Sequence, residues 1–152
     1  MTWGAAPSCA CSGPRLEAPE PAMRDFLRCT RELIRLRWRL PAMRADGFRV
    51  IDAHDGNRFL AFHRWVPGAG EDVVVVVSLA DQPRYHYRVG FPSGGRWLEA
   101  FNSDVYDHWV NPQVVGNAGA VEAHPVPMHE FDHSAELTLP PNAILVFCRS
   151  FA

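Results

Sequence analysis

The 152-residue sequence contains no lysine, because all fifteen of its basic residues are arginine. The absence of lysine excludes any mechanism that needs a lysine nucleophile or a Schiff base. The formal net charge is only −2, so the chain has no positive excess that would attract nucleic acid or an anionic membrane. No apolar run reaches the length that spans a bilayer, and the run at residues 73–77 is far too short. We therefore expect neither nucleic acid nor a membrane as a partner.

Cysteine is also scarce, with four residues at positions 9, 11, 29 and 148. Cys9 and Cys11 are one residue apart, which is not the spacing of a zinc-binding CxxC pair. Scattered thiols favour reduced cysteines in a cytoplasmic protein over a disulfide framework. The N-terminus lacks the basic region and the apolar stretch of a signal peptide. We expect no cofactor and no metal, although zinc bound by Cys9, Cys11 and histidines is the alternative.

Two segments precede the main domain. Residues 1–21 are rich in proline, which predicts a disordered or loosely packed leader. Residues 22–41 predict an amphipathic helix that ends at Pro41. Its arginine face consists of Arg24, Arg28, Arg31, Arg35 and Arg39. Its apolar face, which we expect to dock on the β-domain or on a partner, consists of Phe26, Leu27, Leu33, Ile34, Leu36 and Leu40. The arginine face is interpreted as solvated, with phosphate binding as the alternative.

Residues 47–150 predict a single all-β domain, because the apolar period changes to two after Gly47. The turn Asp55-Gly56-Asn57 predicts a hairpin, since Gly and Asn tolerate positive φ. The run 73–79 is apolar on both faces and predicts a central strand. Residues 102–126 predict a long surface loop. The fold class is therefore mainly β, one N-terminal helix followed by an antiparallel β-sandwich of the Greek-key type. Its expected core includes Val75, Val77, Leu145 and Phe147.

No complete catalytic constellation is visible, so we assign no catalytic residue. The nucleophile elbow, the phosphate-binding loop and the dinucleotide fingerprint are all absent. The most metal-like stretch is residues 129–133 (HEFDH), with His124 nearby, but no helical pattern surrounds it and loop histidines are the simpler interpretation. Paired carboxylates cleave glycosidic bonds when they stand at a fixed separation. The sequence does not place any two of the available ones together: Glu99, Asp104, Asp107, Glu122 and Glu130.

Aromatic residues gather in and beside the long loop. Flat rings with polar neighbours are typical of carbohydrate contacts, because a sugar presents both an apolar face and hydroxyl groups. For Trp97 the alternative is a place in the core. The candidate carbohydrate-binding residues are Trp97, Trp109, Tyr106, Asn102, Asp104 and Asn111.

The order of motifs resembles one known family. The segments LIRLR at 33–37 and LPAMR at 40–44 resemble the last barrel helix of alpha-amylase superfamily enzymes. The later segments resemble the C-terminal β-domain of the same superfamily, and most closely that of 1,4-α-glucan branching enzymes. They are the hairpin 50–66, the strand 73–79, YRVG at 87–90 with Pro92, GRW at 95–97, FNSD at 101–104, GN at 116–117, LPP at 139–141 and LVF at 145–147. After FNSD this chain has YDHW at 106–109, where many members carry Tyr-Gly-Gly.

The resemblance implies an accessory C-terminal β-domain of an α-glucan-acting enzyme, with a structural role and weak α-glucan binding. The catalytic acids of the family lie on barrel strands that would precede residue 23, so none transfers to this sequence. The implied partner is a catalytic barrel, or a second copy that packs through the helix. The alternative is a small stand-alone glycoside hydrolase or transglycosylase that acts on α-glucans with loop carboxylates.

Overall fold

The computed structural model describes residues 20–150. The predicted leader, residues 1–21, therefore lies outside the described residues except for its last two. Helix α1 spans Pro21–Arg39, and short 3-10 helices span Pro41–Met43 and Ser103–Tyr106. The strands are β1 Gly47–His54, β2 Phe59–Val66, β3 Glu71–Ser78, β4 Arg84–Phe91, β5 Gly95–Asn102, β6 Ala120–Ala123, β7 His133–Leu139 and β8 Ala143–Cys148.

The strands form one six-stranded sheet in the order β1-β2-β3-β8-β5-β6 and one two-stranded ribbon of β4 and β7. All pairings are antiparallel. A bridge between His124 and Ser134 ties the end of β6 to the ribbon. The predicted fold class, one helix followed by antiparallel β-structure, is confirmed. The apolar run in β3 lies in the interior of the sheet, as its sequence predicted.

The large sheet is covered on both faces: the ribbon forms the second β-layer of the predicted sandwich, and α1 adds a third layer. Val74 and Val76 of β3 pack under the ribbon with Phe147 of β8. Val75 points the other way and packs with α1 and the first 3-10 helix. Three of the four predicted core residues are buried, but in two separate cores: Val75 lies on the α1 side, Leu145 and Phe147 lie on the ribbon side, and Val77 is only partly buried. The reason is that neighbouring side chains of a strand alternate between faces.

Helix α1 begins at Pro21, where a proline fits because the first helical N–H has no intrahelical partner. Its sheet-facing side buries Leu36 and Leu40, with Cys29 and Leu33 packed beside them. Its other large apolar side chains are exposed. We call this exposed set the apolar stripe, and it consists of Met23, Phe26, Leu27, Ile34 and Trp38.

Two local features differ from the sequence predictions. The β1–β2 hairpin forms as predicted, but its left-handed residue is Arg58, with φ 49°, and not Gly56 or Asn57. The segment 102–126 is not all loop, because it contains the second 3-10 helix and strand β6. Strand β6 forms because the edge of β5 offers unpaired hydrogen-bonding groups to it.

We predict that Phe147→Ala lowers the free energy of unfolding by about 3–5 kcal/mol, through lost apolar burial and the cavity left behind. Phe147 is 0% exposed in the ribbon-side core. The matched control is Phe48→Ala, because Phe48 is 54% exposed on strand β1 and should cost less than about 1.5 kcal/mol. Urea unfolding measures both. A cost below about 1 kcal/mol for Phe147→Ala would contradict its place in the core.

An ion-paired cluster crosses the outer face of the ribbon. Arg88 of β4 lies opposite Glu136 of β7 in the register, and their side chains form a salt bridge. His86 Nδ1 donates to Glu136 Oε2 at 3.1 Å. The hydrogen bond from His86, and then that from Arg88, lower the pKa of the Glu136 carboxyl below its ordinary value. The cluster therefore favours the ionised carboxylate.

We predict that His86→Asn raises the pKa of Glu136 toward its ordinary value, as followed by NMR titration of the carboxyl. Asn suits position 86 because its φ of 56° is left-handed. A carboxyl whose folded-state pKa is lowered stabilises the protein above its unfolded-state pKa. The stability difference between wild type and variant should therefore disappear as the pH falls through the folded-state pKa. A difference that does not change across this acid range would contradict the assignment.

Candidate functional site

Trp97 lies in the core, which removes it from the predicted carbohydrate surface. Its side chain is 0% exposed, and its ring packs edge-on against Phe91 with centroids 5.0 Å apart. Its indole N–H donates to the Ser93 carbonyl at 3.0 Å. The alternative interpretation of Trp97 as a core residue is therefore the correct one. The physical reason is that its position on β5 faces the ribbon, where the sheet has no solvent contact.

Tyr106 and Trp109 belong to a stack of three rings that starts in the core. Tyr106 lies 5.6 Å from Phe101 and 5.0 Å from Trp109, between ring centroids and nearly parallel to both. The Trp109 backbone N–H donates to Asp25 Oδ2 at 3.1 Å, and the Arg28 guanidinium lies over the ring at 5.5 Å. The stack thus joins the long loop to the start of α1. Trp109, at 41% exposed, is its outer end.

The three polar candidates, Asn102, Asp104 and Asn111, form hydrogen bonds within the loop that carries this stack. Asn102 accepts from the Asp104 N–H at 3.0 Å and donates to the Val115 carbonyl at 2.8 Å. Asp104 Oδ2 in turn accepts from the Val115 N–H at 2.7 Å. Asn111 donates to the Asp104 carbonyl at 3.0 Å. These bonds give the three side chains a structural role, and the structure brings them together around the loop instead of on an open surface.

A groove runs beside this loop along the outer face of β5. One cleft of about 590 Å³ lies between β5 and the segment 114–119. A second cleft of about 290 Å³ lies between β5 and α1. Both clefts have Ala100, Phe101 and Tyr106 in their walls, so they are neighbouring parts of one surface region. We call it the α1–β5 groove.

Charged and aromatic side chains line the two ends of the α1–β5 groove. At the helix end, Glu32 forms a salt bridge with Arg35, and Trp38 is 68% exposed. At the loop end, Glu99 Oε2 accepts from the Asn117 N–H at 2.7 Å. Burial, and then the charge of Glu32, raise the pKa of Tyr106, so its hydroxyl keeps its proton at neutral pH. The groove therefore offers donors, acceptors and rings together.

Gly116 is required for the shape of the loop end. A Cβ atom at this position would lie 2.5 Å from Asn102 Nδ2 and 3.0 Å from Glu99 Oε1. Contacts this short would push either the loop or the two side chains away. A glycine thus lets the loop approach β5 closely enough to form the wall of the groove.

Sequence reasoning found Tyr106 and Asn102 but missed Trp38 as a member of this groove. It treated Glu99 only as one of several unplaced carboxylates. No sequence signal identifies Trp38, because its exposure depends on which helix residues face the sheet. For Glu99 the signal was its position just before the FNSD segment on a predicted strand. That signal places Glu99 beside the loop but says nothing about a groove.

The histidine-rich segment is packed against strands. The Gly90 N–H donates to His129 Nδ1 at 3.2 Å, which leaves the ring proton on Nε2, 3.7 Å from Asp52. Glu130 forms a salt bridge with Arg49 of β1. Among residues 20–150, no three histidine, cysteine, aspartate or glutamate side chains come together as a metal site.

The described cysteines are free thiols in packed surroundings. Burial raises the pKa of Cys148 to about 11 and also raises that of Cys29. Both therefore stay protonated at neutral pH, a form that is neither a good nucleophile nor a metal ligand. Cys9 and Cys11 lie outside the described residues. Within the described part of the chain, no helix has the length and apolarity needed to cross a membrane.

Comparison with known proteins places the β-domain in one family. Residues 50–150 match the family described as "Alpha amylase, C-terminal all-beta domain". A 1,4-alpha-glucan branching enzyme of Burkholderia thailandensis is 44% identical over 102 residues, 66% of this chain and 12% of the relative. The branching enzyme of Cupriavidus pinatubonensis is 37% identical over 133 residues, 83% of this chain and 18% of the relative. That of Aquifex aeolicus is 38% identical over 101 residues, 66% of this chain and 16% of the relative.

The aligned region is thus a small part of each of these relatives. The family match, residues 50–150, runs from the β1–β2 hairpin to β8 and contains the β-domain segments that carried the resemblance. The fold agrees with the family's description, since the matched residues form antiparallel strands. The chain therefore belongs to the alpha amylase C-terminal all-beta domain family.

Proposed function

We propose that this chain is the accessory C-terminal β-domain of an α-glucan-acting enzyme of the branching type. In this role it packs its α1 side on a catalytic domain and holds α-glucan weakly. The observation that carries the proposal is the family match over residues 50–150 together with relatives that are 1,4-alpha-glucan branching enzymes. The chain corresponds to 12–18% of the length of these relatives, which is the share expected of one accessory domain.

The apolar stripe supplies the surface for such packing. Ile34 is 54% exposed, and the other four members of the stripe are exposed as well. Phe48 and Val50 add exposed apolar area on the same side of the sheet, since Val50 lies opposite Phe62 of the α1-side core. Exposed apolar side chains concentrated on one side are typical of a protein interface.

The charges beside the stripe indicate what the partner surface should carry. At 100° per residue, Arg24 and Arg31 lie along one flank of the stripe. Both side chains are exposed. An apolar partner surface with carboxylates at its rim would complement this arrangement.

The stand-alone enzyme is the weaker candidate, because three of the five carboxylates considered for catalysis have structural partners. Glu99 accepts from the Asn117 backbone, and Asp104 accepts from the Val115 backbone. Glu130 pairs with Arg49. A glycosidase needs one carboxyl held protonated near neutral pH as its acid. The pKa of Glu136 is lowered, which is the opposite of that requirement.

The cytoplasm is the compartment that we propose for this protein. Its support is the state of the described cysteines, since Cys29 and Cys148 are free. Free thiols on a helix and a core strand are typical of proteins in a reducing compartment.

We predict that the chain binds and reactivates a branching enzyme that has been truncated to remove its own C-terminal β-domain. The Burkholderia thailandensis relative, at 44% identity, is the suitable partner. Gel filtration should show a one-to-one complex, and branching of amylose, followed by iodine staining, should increase on addition of the chain. Ile34→Asp should reduce the affinity by at least about tenfold, because it places a charge in the apolar interface.

The control for this experiment is Tyr85→Asp, because Tyr85 is an exposed aromatic on the ribbon, away from the stripe. It should dock and reactivate like wild type. The absence of both complex and reactivation would contradict the proposal. Turnover of maltooligosaccharides by the chain alone, abolished by a single carboxylate substitution, would favour the stand-alone enzyme.

We also predict that the isolated chain self-associates through the stripe when no catalytic domain is present. Light scattering should give a dimer or larger species, and Ile34→Glu should shift it to the monomer. Salt should strengthen this association, because it screens the arginines that two copies bring together, whereas it should weaken docking to an acidic rim. A monodisperse wild-type monomer at high concentration would contradict self-association.

A further inference from the structure

We propose that Asp55-Gly56, at the tip of the β1–β2 hairpin, is a modification site at which the aspartate rearranges to isoaspartate. The sequence contains two Asp-Gly pairs, Asp46-Gly47 and Asp55-Gly56. They lie at the two ends of strand β1, and the structure gives them opposite surroundings. The pair at the hairpin tip is free to react in the folded chain, whereas the pair at the start of β1 is held unreactive.

The rearrangement involves no oxidation or reduction, and its only co-reactant is water. The Gly56 backbone nitrogen attacks the side-chain carboxyl carbon of Asp55 and closes a succinimide ring. The displaced carboxyl hydroxyl leaves with the amide proton as water. A second water molecule then opens the ring. Opening at the former main-chain carbonyl leaves the chain running through the side-chain carbon, which is isoaspartate, and opening at the other carbonyl regenerates aspartate.

The reacting groups at the hairpin tip are accessible. Asp55 and Gly56 are both exposed and lie in the turn between the strands. Among residues 20–150, no hydrogen bond or ion pair engages the Gly56 N–H or the Asp55 carboxyl group. Apart from the adjacent residues, only the His54 ring lies within 4 Å of a Cβ atom placed on Gly56. Glycine also has no side chain to hinder the approach of its own nitrogen.

The turn can open at little cost. Its hydrogen bonds run from the Arg58 N–H to the Asp55 carbonyl at 3.0 Å, and from the Asn57 N–H to His54 Nδ1 at 3.1 Å. Arg58 has a φ of 49°, an unfavourable conformation for a residue with a side chain. Strand β1 is an edge strand that pairs only with β2. Such weakly held segments open locally long before the domain unfolds, which lets the Gly56 nitrogen reach the carboxyl carbon.

The other Asp-Gly pair is protected by packing, although the Asp46 side chain is itself exposed. Gly47 is the buried first residue of β1 and lies opposite Trp65 in the register. A Cβ atom on Gly47 would lie 2.4 Å from the Trp65 carbonyl oxygen and 2.7 Å from its indole ring. The backbone here has no room to rotate in a close-packed interior. Ring closure at Asp46 therefore requires β1 to separate from β2.

The modification changes the hairpin and creates a new group at its tip. In isoaspartate the former Asp55 carbonyl is a free carboxylate, and the main chain is longer by one methylene group. The hydrogen bond from the Arg58 N–H to the main-chain carbonyl is thereby lost, so β1 should fray from this end. The free carboxylate at an exposed tip is the group that an isoaspartate carboxyl methyltransferase modifies. An enzyme of this class, with its sulfonium methyl donor, is the partner that fits the modified chain.

The test compares the two pairs within the same molecule. Trypsin cleaves after arginine and places them in adjacent peptides, residues 45–49 and 50–58. The full chain is incubated folded in warm buffer at neutral pH, digested, and fragmented by electron transfer, which distinguishes isoaspartate from aspartate of equal mass. Isoaspartate should accumulate at Asp55 and stay at background at Asp46. Incubation in concentrated urea should modify both, because unfolding removes the packing around Gly47.

Asp55→Glu should abolish the signal in peptide 50–58, because the longer side chain would have to close a larger and less favourable ring. The matched control Asp46→Glu should leave that signal unchanged. An isoaspartate methyltransferase with a labelled methyl donor should label the incubated wild-type chain and the control, but not Asp55→Glu. Equal accumulation in the two peptides of the folded chain, or accumulation at Asp55 only in urea, would overturn the proposal.

Discussion

The whole structure depends on the need to cover both faces of one sheet. Strand β3 carries valines that alternate between the two sides, and every one of its inner positions is apolar. An apolar sheet face in water is unfavourable by roughly 25 cal/mol per Å² of exposed apolar surface. The ribbon of β4 and β7 covers one face, and α1 with the first 3-10 helix covers the other. The helix is therefore part of the domain's second core.

This division of the sheet explains why α1 has three different surfaces. The side with Leu36 and Leu40 packs against the sheet and is buried. The stripe with Ile34 is exposed, and we propose that a second protein surface covers it. The flank with Arg35 stands beside β5 and forms a wall of the groove. A single amphipathic helix thus connects the packing of the domain to the contact that we propose with a partner protein.

The long loop connects the core to the α1–β5 groove through hydrogen bonds and ring stacking. Asp104 and Asn102 pair with backbone groups of the loop, which positions Tyr106 between a core ring and an exposed ring. Residues that the sequence suggested as direct sugar contacts therefore act mainly as supports. Tyr106 is the exception, because it belongs to the stack and also lines the α1–β5 groove.

The sequence by itself determined the features that depend on neighbouring residues: α1 up to Pro41, the β1–β2 hairpin, the central strand and the family. Local periodicity and turn residues are sufficient for these. Only the tertiary structure decided which way Trp97 faces, that residues 120–123 form a strand, and that Trp38 reaches the groove. Each of these depends on contacts with segments distant in the sequence. Strand β6 pairs with the edge of β5, and the ribbon covers Trp97. Because Leu36 and Leu40 are the residues that contact the sheet, Trp38 is left exposed.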